Sequence, residues 1–554
     1  MAERTEQEKT RKGSRAQGGS DGPALAANRP QGASSKSVRR RGARSESGED
    51  KAAGGKGRRA SGRTTAGERS AGKRGKGAQA AGKGAAGALK KGLKSRQLAV
   101  EILVQVESEG AYANLALANG FQRRRLSERD RAFVTALVQG VLRKRAMLDE
   151  KISQLSKQAL AKLPPTLRNL LRLAIFQLEQ MPDIPQSAVL NTANQVARAT
   201  GHEGHVKFTN GLLRNYLRQR DRLIESPVLQ LDAEQLATHH SMPLWLVERW
   251  LTNWGMEETR ELLRHSQTIP ELVIRTCETA ITTDGLKQIL ESNEIKCRPG
   301  RLVGSCLIIE DRGRFKGPLQ KLPGFEEGLF TVQDEAAAFV SRVVDPKPGE
   351  LVVDLCAAPG GKSLHLAELM ENQGRVIAVD SHGGRLNLLR KSRQRLGLTN
   401  IEIMVADGRS LTIDSLADRV LVDSPCTGTG VINRRSDLRF QRQPPDLPSL
   451  VEMQRQLLDH AATLVKPGGI LVYSTCSIEP EENQENIRWF LERHRDFSAV
   501  TIRPYIPADL LAGWAPRGWP GDLDPEAGWI QLLPSRHGTS GFFLCRLQRF
   551  LSVI

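Results

Sequence analysis

Two cysteines and an aspartate follow neighbouring apolar segments in the last third of the chain. Asp423 and Cys426 lie in RVLVDSPCTGTG, and Cys476 lies in LVYSTCSIEPEEN. Because adjacent parallel strands end at the same edge of a sheet, we expect both thiols and the carboxylate to converge there. A single cysteine after an apolar strand is usually a small buried hydrophobe. Two at equivalent strand ends favour nucleophilic thiol chemistry.

A turn of small residues follows an earlier apolar segment, and two interpretations of it compete. The turn runs from Asp354 to Ser363 as DLCAAPGGKS. GGKS resembles the end of a phosphate-binding P-loop, but the first glycine of GxxxxGK[ST] would fall at Cys356. Pro359 also removes a backbone N–H that such a loop would present to phosphate. An adenosine-bearing cofactor fits the turn better than a nucleoside triphosphate.

Two aspartates extend this expected cofactor site. Asp380 in VIAVD lies 19 residues after Gly361, near the separation of about 20 at which an acidic residue binds ribose hydroxyls. Asp407 in VADGR ends the next apolar segment and suits the far side of the same nucleoside. The chain does not reproduce G-x-G-x-x-G at this turn, so NAD is not specified.

The elements that must position these residues form an alternating pattern from about residue 326. Short apolar segments alternate with helix-length segments, which predicts a mostly parallel sheet covered on both faces. The five strand candidates are LVVDLC, VIAVD, IEIMVAD, RVLVDS and GILVYST. Residues 326–554 are therefore predicted to form an α/β, Rossmann-like domain with its ligands beyond the carboxyl ends of the strands.

Two further folded modules are predicted upstream. Apolar residues at helical spacing, as in RQLAVEILVQV, predict an all-α domain over 95–235. Short alternating helices and strands, including ELVIRTC and SCLIIED, predict a small α+β module over 236–325. Basic clusters at 123–125 and 143–145 could contact RNA phosphates or form a solvated helix face, and spacing alone leaves both open.

The chain of 554 residues has a formal net charge of +19, and most of that charge lies at its start. Residues 1–94 contain 24 Lys and Arg against 8 Asp and Glu, 19 of the 51 glycines, and no Phe, Tyr, Trp or Ile. Such a segment cannot bury enough apolar surface to order itself, so we predict a disordered basic tail. It could hold RNA near the cleft or serve as a solubilising extension.

Metal, disulfide and membrane chemistry are not expected. The seven cysteines are an odd number without a CxxC pair, which disfavours structural zinc or a disulfide framework. His202 and His205 in GHEGH are three residues apart rather than the four that HExxH needs. No apolar run approaches the roughly 20 residues of a membrane span, and the start lacks a secretory core. We predict a soluble cytoplasmic protein and expect a monomer.

DLCAAPGGKS, DSPCTGTG and YSTCSIEPEEN resemble the signature motifs of the NOL1/NOP2/Sun family of RNA cytosine-5 methyltransferases, which use S-adenosyl-L-methionine. The helical domain resembles the NusB-type RNA-binding domain, and GLFTVQDEAA and SGFF are similar to the bacterial branch. The resemblance covers roughly 95–554. It implies methylation at C5 of one cytosine in small-subunit (16S) ribosomal RNA, cytosine 967, in naked or partly assembled RNA.

The resemblance also implies roles for individual residues. Cys476 would be the nucleophile that adds to C6 of the cytosine, Cys426 would assist product release, and Asp423 would contact the N3 edge beside the methyl-transfer centre. Asp380 would bind the ribose and Asp407 would lie near the adenine. The loop around the methionine and ribose parts would comprise Cys356, Ala357, Ala358, Pro359, Gly360, Gly361 and Lys362.

The sequence allows other roles for Lys362, leaves two rival functions open and departs from the family pattern at three residues. Lys362 could instead meet RNA phosphate or be solvent-exposed in a first helical turn. A DNA cytosine methyltransferase uses the PC cysteine as nucleophile and lacks the TC cysteine, and a non-catalytic RNA-binding factor would need neither. Thr276, Cys277 and Ser540 depart from the family pattern, which affects the expected RNA contacts rather than the chemistry.

Overall fold

A computed structural model of the chain describes residues 77–223, 231–313, 315, 317–514 and 524–551, without the side chains of 77–91. Most of the predicted tail, residues 1–76, lies outside this range. Helix α1 (Gly77–Ser108) begins within the remainder of the predicted tail, ahead of the boundary expected at residue 95. Alanine and lysine are strong helix formers, so this segment can be helical without aromatic residues to bury.

The all-α domain predicted from periodicity is confirmed. Helices α1 to α7 enclose one apolar core that includes Ile102, Leu137 and Leu171. His202, considered above as a metal ligand, accepts the Gly204 N–H at the start of α7 at 3.1 Å. The other helices are α2 (Ala113–Arg123), α3 (Glu128–Arg143), α4 (Arg145–Leu155), α5 (Pro165–Gln180), α6 (Gln186–Thr200) and α7 (Glu203–Gln219).

The basic cluster at 143–145 has a structural position that neither interpretation of the sequence expected. The Arg145 guanidinium pairs with Glu107 at 3.1 Å, and the fully buried Arg172 pairs with the same carboxylate at 2.9 Å. Burial lowers the pKa of Arg143. Arg145 therefore belongs to packing inside the helical domain, because Glu107, an acidic partner distant in sequence, lies against it.

In the described residues, the middle module contains three α-helices and a four-stranded antiparallel sheet with strand order β2-β3-β1-β4. Strand β4 (Phe330–Val332) lies beyond the boundary predicted at residue 325 but pairs with β1, with Ile274 opposite Val332. The sheet therefore extends the module into the predicted α/β domain. Its elements are α8 (Ala233–His239), α9 (Leu244–Ser266), β1 (Leu272–Thr276), α10 (Thr283–Ser292), β2 (Lys296–Pro299) and β3 (Cys306–Asp311).

The C-terminal domain contains an eight-stranded sheet in which β10-β12-β9-β8-β5-β6-β7 are neighbours and β11 pairs with β12. The five predicted strands are present and mutually parallel as β5 (Leu351–Asp354), β6 (Arg375–Asp380), β7 (Ile401–Val405), β8 (Ala417–Asp423) and β9 (Val465–Thr475). Antiparallel β12 borders β9. The remaining strands are β10 (Phe497–Ala499), β11 (Trp529–Leu532) and β12 (Phe542–Arg549).

Helices cover both faces of this sheet, as the alternating sequence pattern predicts. Apolar core clusters lie on either side, one including Phe339 and Leu366 and the other including Leu458 and Phe490. The helices are α11 (Glu335–Val344), α12 (Gly361–Leu369), α13 (Gly383–Arg395), α14 (Leu438–Gln441), α15 (Asp446–Leu464), α16 (Gln484–Arg493), α17 (Ala508–Trp514) and α18 (Pro534–His537). No helix within the described ranges is long and apolar enough to cross a membrane.

A single buried arginine joins the three modules. Arg439 on α14 donates to the carbonyl of Arg143 at 3.0 Å and to that of His240 at 3.1 Å, and it also donates to the carbonyl of Ser266. These carbonyls lie at or just beyond the carboxyl ends of α3, α8 and α9, where backbone acceptors lack helical partners. The guanidinium thereby fastens the helical domain and the middle module to the C-terminal domain.

Candidate active site

The two cysteine-bearing loops lie side by side because β8 and β9 are adjacent and parallel, with Asp423 opposite Ser474. The Sγ atoms of Cys426 and Cys476 are 3.3 Å apart. The structure therefore brings together the two thiols and the Asp423 strand end at the carboxyl edge of the sheet. That is the convergence which the spacing of the strands predicts.

The two thiols differ electrostatically. The hydrogen bond from the Cys426 thiol, assisted by the nearby cations of Lys362 and Arg435, lowers the pKa of Cys476. The same hydrogen bond, together with burial, raises the pKa of Cys426 well above its ordinary value. Cys476 is therefore the thiol that ionises first, and Cys426 retains its proton and donates it to the neighbouring sulfur.

Asp423 is held by two side chains. Lys362 Nζ donates to its Oδ2 at 2.7 Å, and Ser474 Oγ donates to its Oδ1 at 2.9 Å. The Lys362 side chain is only 11% exposed, and its ammonium also lies 5.1 Å from the centre of the Phe542 ring. Lys362 is thus an internal partner of Asp423, and the solvent-exposed alternative does not describe its position.

The loop that carries Cys426 is clamped from both sides. The buried carboxylate of Glu482 accepts the Thr427 N–H at 2.8 Å, the Thr427 hydroxyl and the Gln454 amide at 2.9 Å. Arg442 donates to the carbonyls of Cys426 and Thr427, each at 3.0 Å. Sequence reasoning assigned no role to Glu482 or Arg442. The available signal was the acidic EPEEN segment directly after Cys476.

Two glycines close the cysteine loops against the last strand. Gly430 donates its N–H to the Cys476 carbonyl at 3.0 Å, and Gly541 donates its N–H to the Gly430 carbonyl at 2.9 Å. A Cβ atom on Gly430 would lie 2.2 Å from the Gly541 carbonyl oxygen, so only glycine fits. The preceding Ser540 donates to Asp334 at 2.8 Å, which gives this departure from the family pattern a packing role.

The cofactor turn joins β5 to α12. Ser363 Oγ donates to Asp354 Oδ2 at 2.7 Å, and burial raises the pKa of Asp354 to about 7. Gly360 has a φ of +111°, and a Cβ atom there would lie 2.6 Å from the Leu389 side chain. Both features require glycine and leave the backbone open to close approach by a ligand.

Asp380 fastens this turn from the end of β6. Its two carboxylate oxygens accept the Ala358 N–H at 3.1 Å and the His382 N–H at 2.9 Å. Each carboxylate oxygen has two acceptor sites, so capacity remains for ligand hydroxyls. The buried Gln333 Nε2 has no hydrogen-bond partner, and a Cβ atom on Gly361 would lie 3.6 Å from it. A free amide donor beside a carboxylate acceptor fits a nucleoside that bears an amino-acid carboxylate.

Asp407 follows β7, at the third strand end of the same edge. Its carboxylate is bound by Arg409, with Oδ2 2.6 Å from the guanidinium, and the side chain is 44% exposed. The Arg409 hydrogen bonds hold the pKa of Asp407 at about 2. Asp407 is therefore ionised but already paired at the outer side of the predicted nucleoside site. Across the described part of the chain, no cluster of three or more metal-ligating side chains is found.

Three family profiles match consecutive parts of the chain. Residues 341–548 match the 16S rRNA methyltransferase RsmB/F, and residues 93–218 match the NusB family. Residues 242–316 match the ferredoxin-like domain of RsmF/B-like methyltransferases. The order and extent of these matches agree with the three modules of the structure.

Similar proteins extend this agreement over most of the chain. The probable ribosomal RNA small subunit methyltransferase B of Synechocystis is 36% identical over 461 residues, which are 82% of this chain and 100% of that protein. The Bacillus subtilis protein of the same description is 34% identical over 458 residues, 82% of this chain and 98% of that protein. The crystal structure of the protein PH0851 has a TM-score of 0.67 at 30% identity and covers 82% of this chain and 99% of that one.

These relatives each match over 82% of the chain, and the family profiles match parts of all three modules. The cofactor is S-adenosyl-L-methionine. The free amide of Gln333 suits its carboxylate, and the carboxylate of Asp380 suits its ribose. The chain belongs to the RsmB/F family of 16S rRNA methyltransferases.

Proposed function

We propose that this protein transfers a methyl group to C5 of one cytosine in 16S ribosomal RNA, cytosine 967, through a covalent cysteine–C6 adduct. The observation that carries the proposal is the pair of thiols 3.3 Å apart beside the Asp423–Lys362 ion pair. Bound S-adenosylmethionine supplies the electrophilic methyl group. The substrate is naked or partly assembled RNA in the cytoplasm, and the protein acts as a monomer.

The first step is addition of the Cys476 thiolate to C6. A bond forms between Sγ and C6, and the electron pair of the C5–C6 double bond moves so that C5 becomes enamine-like and nucleophilic. Charge that develops toward N3 is met by a hydrogen bond or proton from the Asp423–Lys362 pair, in which Lys362 Nζ is the proton-bearing atom. The lowered pKa of Cys476 favours the thiolate that this step needs.

The second step completes the exchange at C5. C5 would take the methyl group as the bond from that methyl to the cofactor sulfur breaks, with the electron pair staying on the sulfur. The proton originally on C5 must then leave so that the double bond can form again. The electron pair of the C5–H bond re-forms the C5–C6 double bond. The Cys476 sulfur then leaves C6 as a thiolate, which frees the methylated base. The Cys426 thiol, 3.3 Å from the departing sulfur, passes its own proton to that sulfur and takes up the C5 proton in its place, which assists the removal. Its raised pKa makes its thiolate the stronger base of the two.

Two rival functions predict different behaviour. A DNA cytosine methyltransferase would use Cys426 as nucleophile, whereas Cys476 has the lower pKa and occupies the second strand end. A non-catalytic RNA-binding factor would not need two thiols in hydrogen-bond contact. Competition between 16S RNA and duplex DNA for methyl transfer from radiolabelled S-adenosylmethionine separates these rivals.

The decisive test is bisulfite mapping of ribosomal RNA from cells with and without this protein. We expect loss of methylation at one cytosine of 16S RNA, restored by the wild-type chain but not by Cys476→Ala. An unchanged methylation pattern would remove the proposed substrate. Restoration by Cys476→Ala would overturn the assignment of the nucleophile.

A further inference from the structure

An aromatic side chain of the helical domain lies at the rim of the cysteine cleft. Tyr112 directly precedes α2 and is 40% exposed. The exposed Arg435 places its guanidinium carbon 5.6 Å from the centre of the Tyr112 ring. Arg435 donates its backbone N–H to the Val431 carbonyl at 3.0 Å, and the preceding Gly430 donates to the Cys476 carbonyl at 3.0 Å. The positive charge of Arg435 also helps to lower the pKa of Cys476. A single arginine therefore connects the tyrosine of one module to the nucleophile of another.

The backbone on both sides of Tyr112 is fixed to the catalytic domain. Asp437 Oδ2 accepts the Ala113 N–H at 3.1 Å, and Gln441 Nε2 donates to the Ala111 carbonyl at 3.0 Å. Both partners belong to the segment that begins with Arg435. The position of Tyr112 is thus set by the C-terminal domain, although its sequence neighbours belong to the helical one.

Tyr112 is also distinguished among the aromatic residues. Within the described ranges, Tyr112 and Phe550 are the exposed aromatic side chains. Phe550 lies beyond Gln548 of β12, which pairs with Ile470 in the middle of antiparallel β9, so Phe550 lies toward the start of β9. The cysteines lie at the opposite end of β9. Phe550 therefore faces away from the chemistry, and Tyr112 is the exposed aromatic on the reactive side.

We propose that Tyr112 stacks on the nucleotide adjacent to the target cytosine while Arg435 binds the phosphate between them. This inference rests on the proposed function and names the RNA contact that accompanies it. A base in the cleft must be extruded or single-stranded for C6 to reach Cys476, which deprives its neighbour of a stacking partner. An aromatic ring replaces that partner, and an adjacent cation neutralises the backbone.

The first test compares Tyr112→Ala with Tyr112→Phe on an RNA hairpin that contains the target cytosine. We expect Tyr112→Ala to raise KM for RNA about tenfold, which is typical of one lost base–aromatic stack. KM for S-adenosylmethionine should stay constant, and Tyr112→Phe should behave as wild type because it keeps the ring. Leu115→Ala is the matched control, since Leu115 is 56% exposed one turn further along and lies outside the proposed contact.

The second test places 2-aminopurine next to the target cytosine, on either side in separate RNAs. We expect its fluorescence to be quenched on binding by the wild type and by Tyr112→Phe at one of the two positions, and not by Tyr112→Ala. Arg435→Gln should weaken RNA binding and reduce the slope of log affinity against log salt by about one.

The outcomes separate this inference from the proposed function. If wild-type protein methylates the hairpin while Tyr112→Ala retains the wild-type KM and quenching, the stacking contact is overturned and the function stands. An RNA that binds with quenching but receives no methyl group would overturn the function while leaving the contact in place. If Leu115→Ala and Tyr112→Ala raised KM for RNA equally, the change would reflect a general loss of apolar surface, and the stacking contact would be overturned.

Discussion

The two halves of the candidate site lie along one edge of the same sheet but are held differently. The cysteine half, residues 423–430 and 474–483, is closed by internal hydrogen bonds, with Glu482 and Asn483 buried and each bound to several partners. The cofactor half, residues 354–363, 380–382 and 407–409, keeps an exposed Asp407 and borders the free amide of Gln333.

The two halves therefore differ in how far their polar groups are satisfied before a ligand binds. In the cysteine half the protein itself satisfies most of the polar groups, with Ser424 Oγ the exception, so the thiols are oriented before any ligand arrives. In the cofactor half some donors and acceptors are left for the ligand to satisfy. Substitutions in the first half should therefore change the chemical steps, whereas those in the second should change cofactor affinity and be overcome by saturating cofactor.

The largest effect is expected for Cys476→Ala. Loss of the nucleophile should lower methyl transfer by at least about 10³-fold, since no other thiol can add to C6 from the same position. Binding of S-adenosylmethionine by calorimetry should be unchanged because the substitution removes no side chain of the cofactor half. A parallel loss of cofactor affinity would contradict the division between the halves.

Cys426→Ala should have the next largest effect, with turnover about 10²-fold lower. Because the variant still adds Cys476 to C6 but cannot assist proton removal, a covalent protein–RNA adduct should accumulate on denaturing gels. The double variant Cys426→Ala/Cys476→Ala is the control and should form none. Adduct formation by the double variant would assign the bond to another residue.

Glu482→Gln tests the clamp on the cysteine loop. It leaves buried donors of Thr427 or Gln454 without an acceptor, which should lower the free energy of unfolding by about 2 kcal/mol. Adduct resolution should also slow, because the Cys426 loop loosens. Glu481→Gln is the matched control, as Glu481 is 35% exposed and pairs with Arg249, so its loss should cost less than about 1 kcal/mol in chemical denaturation. Equal destabilisation by both variants would argue against the clamp.

Asp380→Asn should raise KM for S-adenosylmethionine about tenfold while kcat at saturating cofactor is retained, since its carboxylate fastens the turn at Ala358 and has acceptor capacity left for ligand hydroxyls. Asp407→Asn should have a smaller effect of about twofold, because its carboxylate is exposed and already bound by Arg409. Steady-state kinetics with varied cofactor measure both. A fall in kcat that excess cofactor does not restore would place Asp380 in the chemical step.

The smallest expected effect is a shift in the pH dependence of the rate at which Cys476 is alkylated. Alkylation of Cys476 by iodoacetamide needs the thiolate, so its rate should rise with pH and level off below the pH at which an ordinary cysteine does. Cys426→Ala removes the hydrogen bond that favours this thiolate, so the profile should move to higher pH. An unmoved profile would show that the neighbouring cations alone lower the pKa.

The strand ends could be predicted from sequence because apolar runs, small-residue turns and chemistry-bearing residues are adjacent in the chain. The clamp could not, since Thr427 and Glu482 are 55 residues apart and no local pattern pairs them. The local sequence around Arg145 predicts a surface charge, because its partner Glu107 lies 38 residues away on α1 and no local pattern pairs the two. Arg409, two residues after Asp407, was a local signal that went unused.

The closing contact between Gly541 and Gly430 has a consequence for the order of synthesis. Both cysteines are made before residue 480, but the strand that borders β9 and the ring that faces Lys362 are made some sixty residues later. The reactive pair is therefore enclosed only once residues 541–549 have been made and β12 has paired with β9.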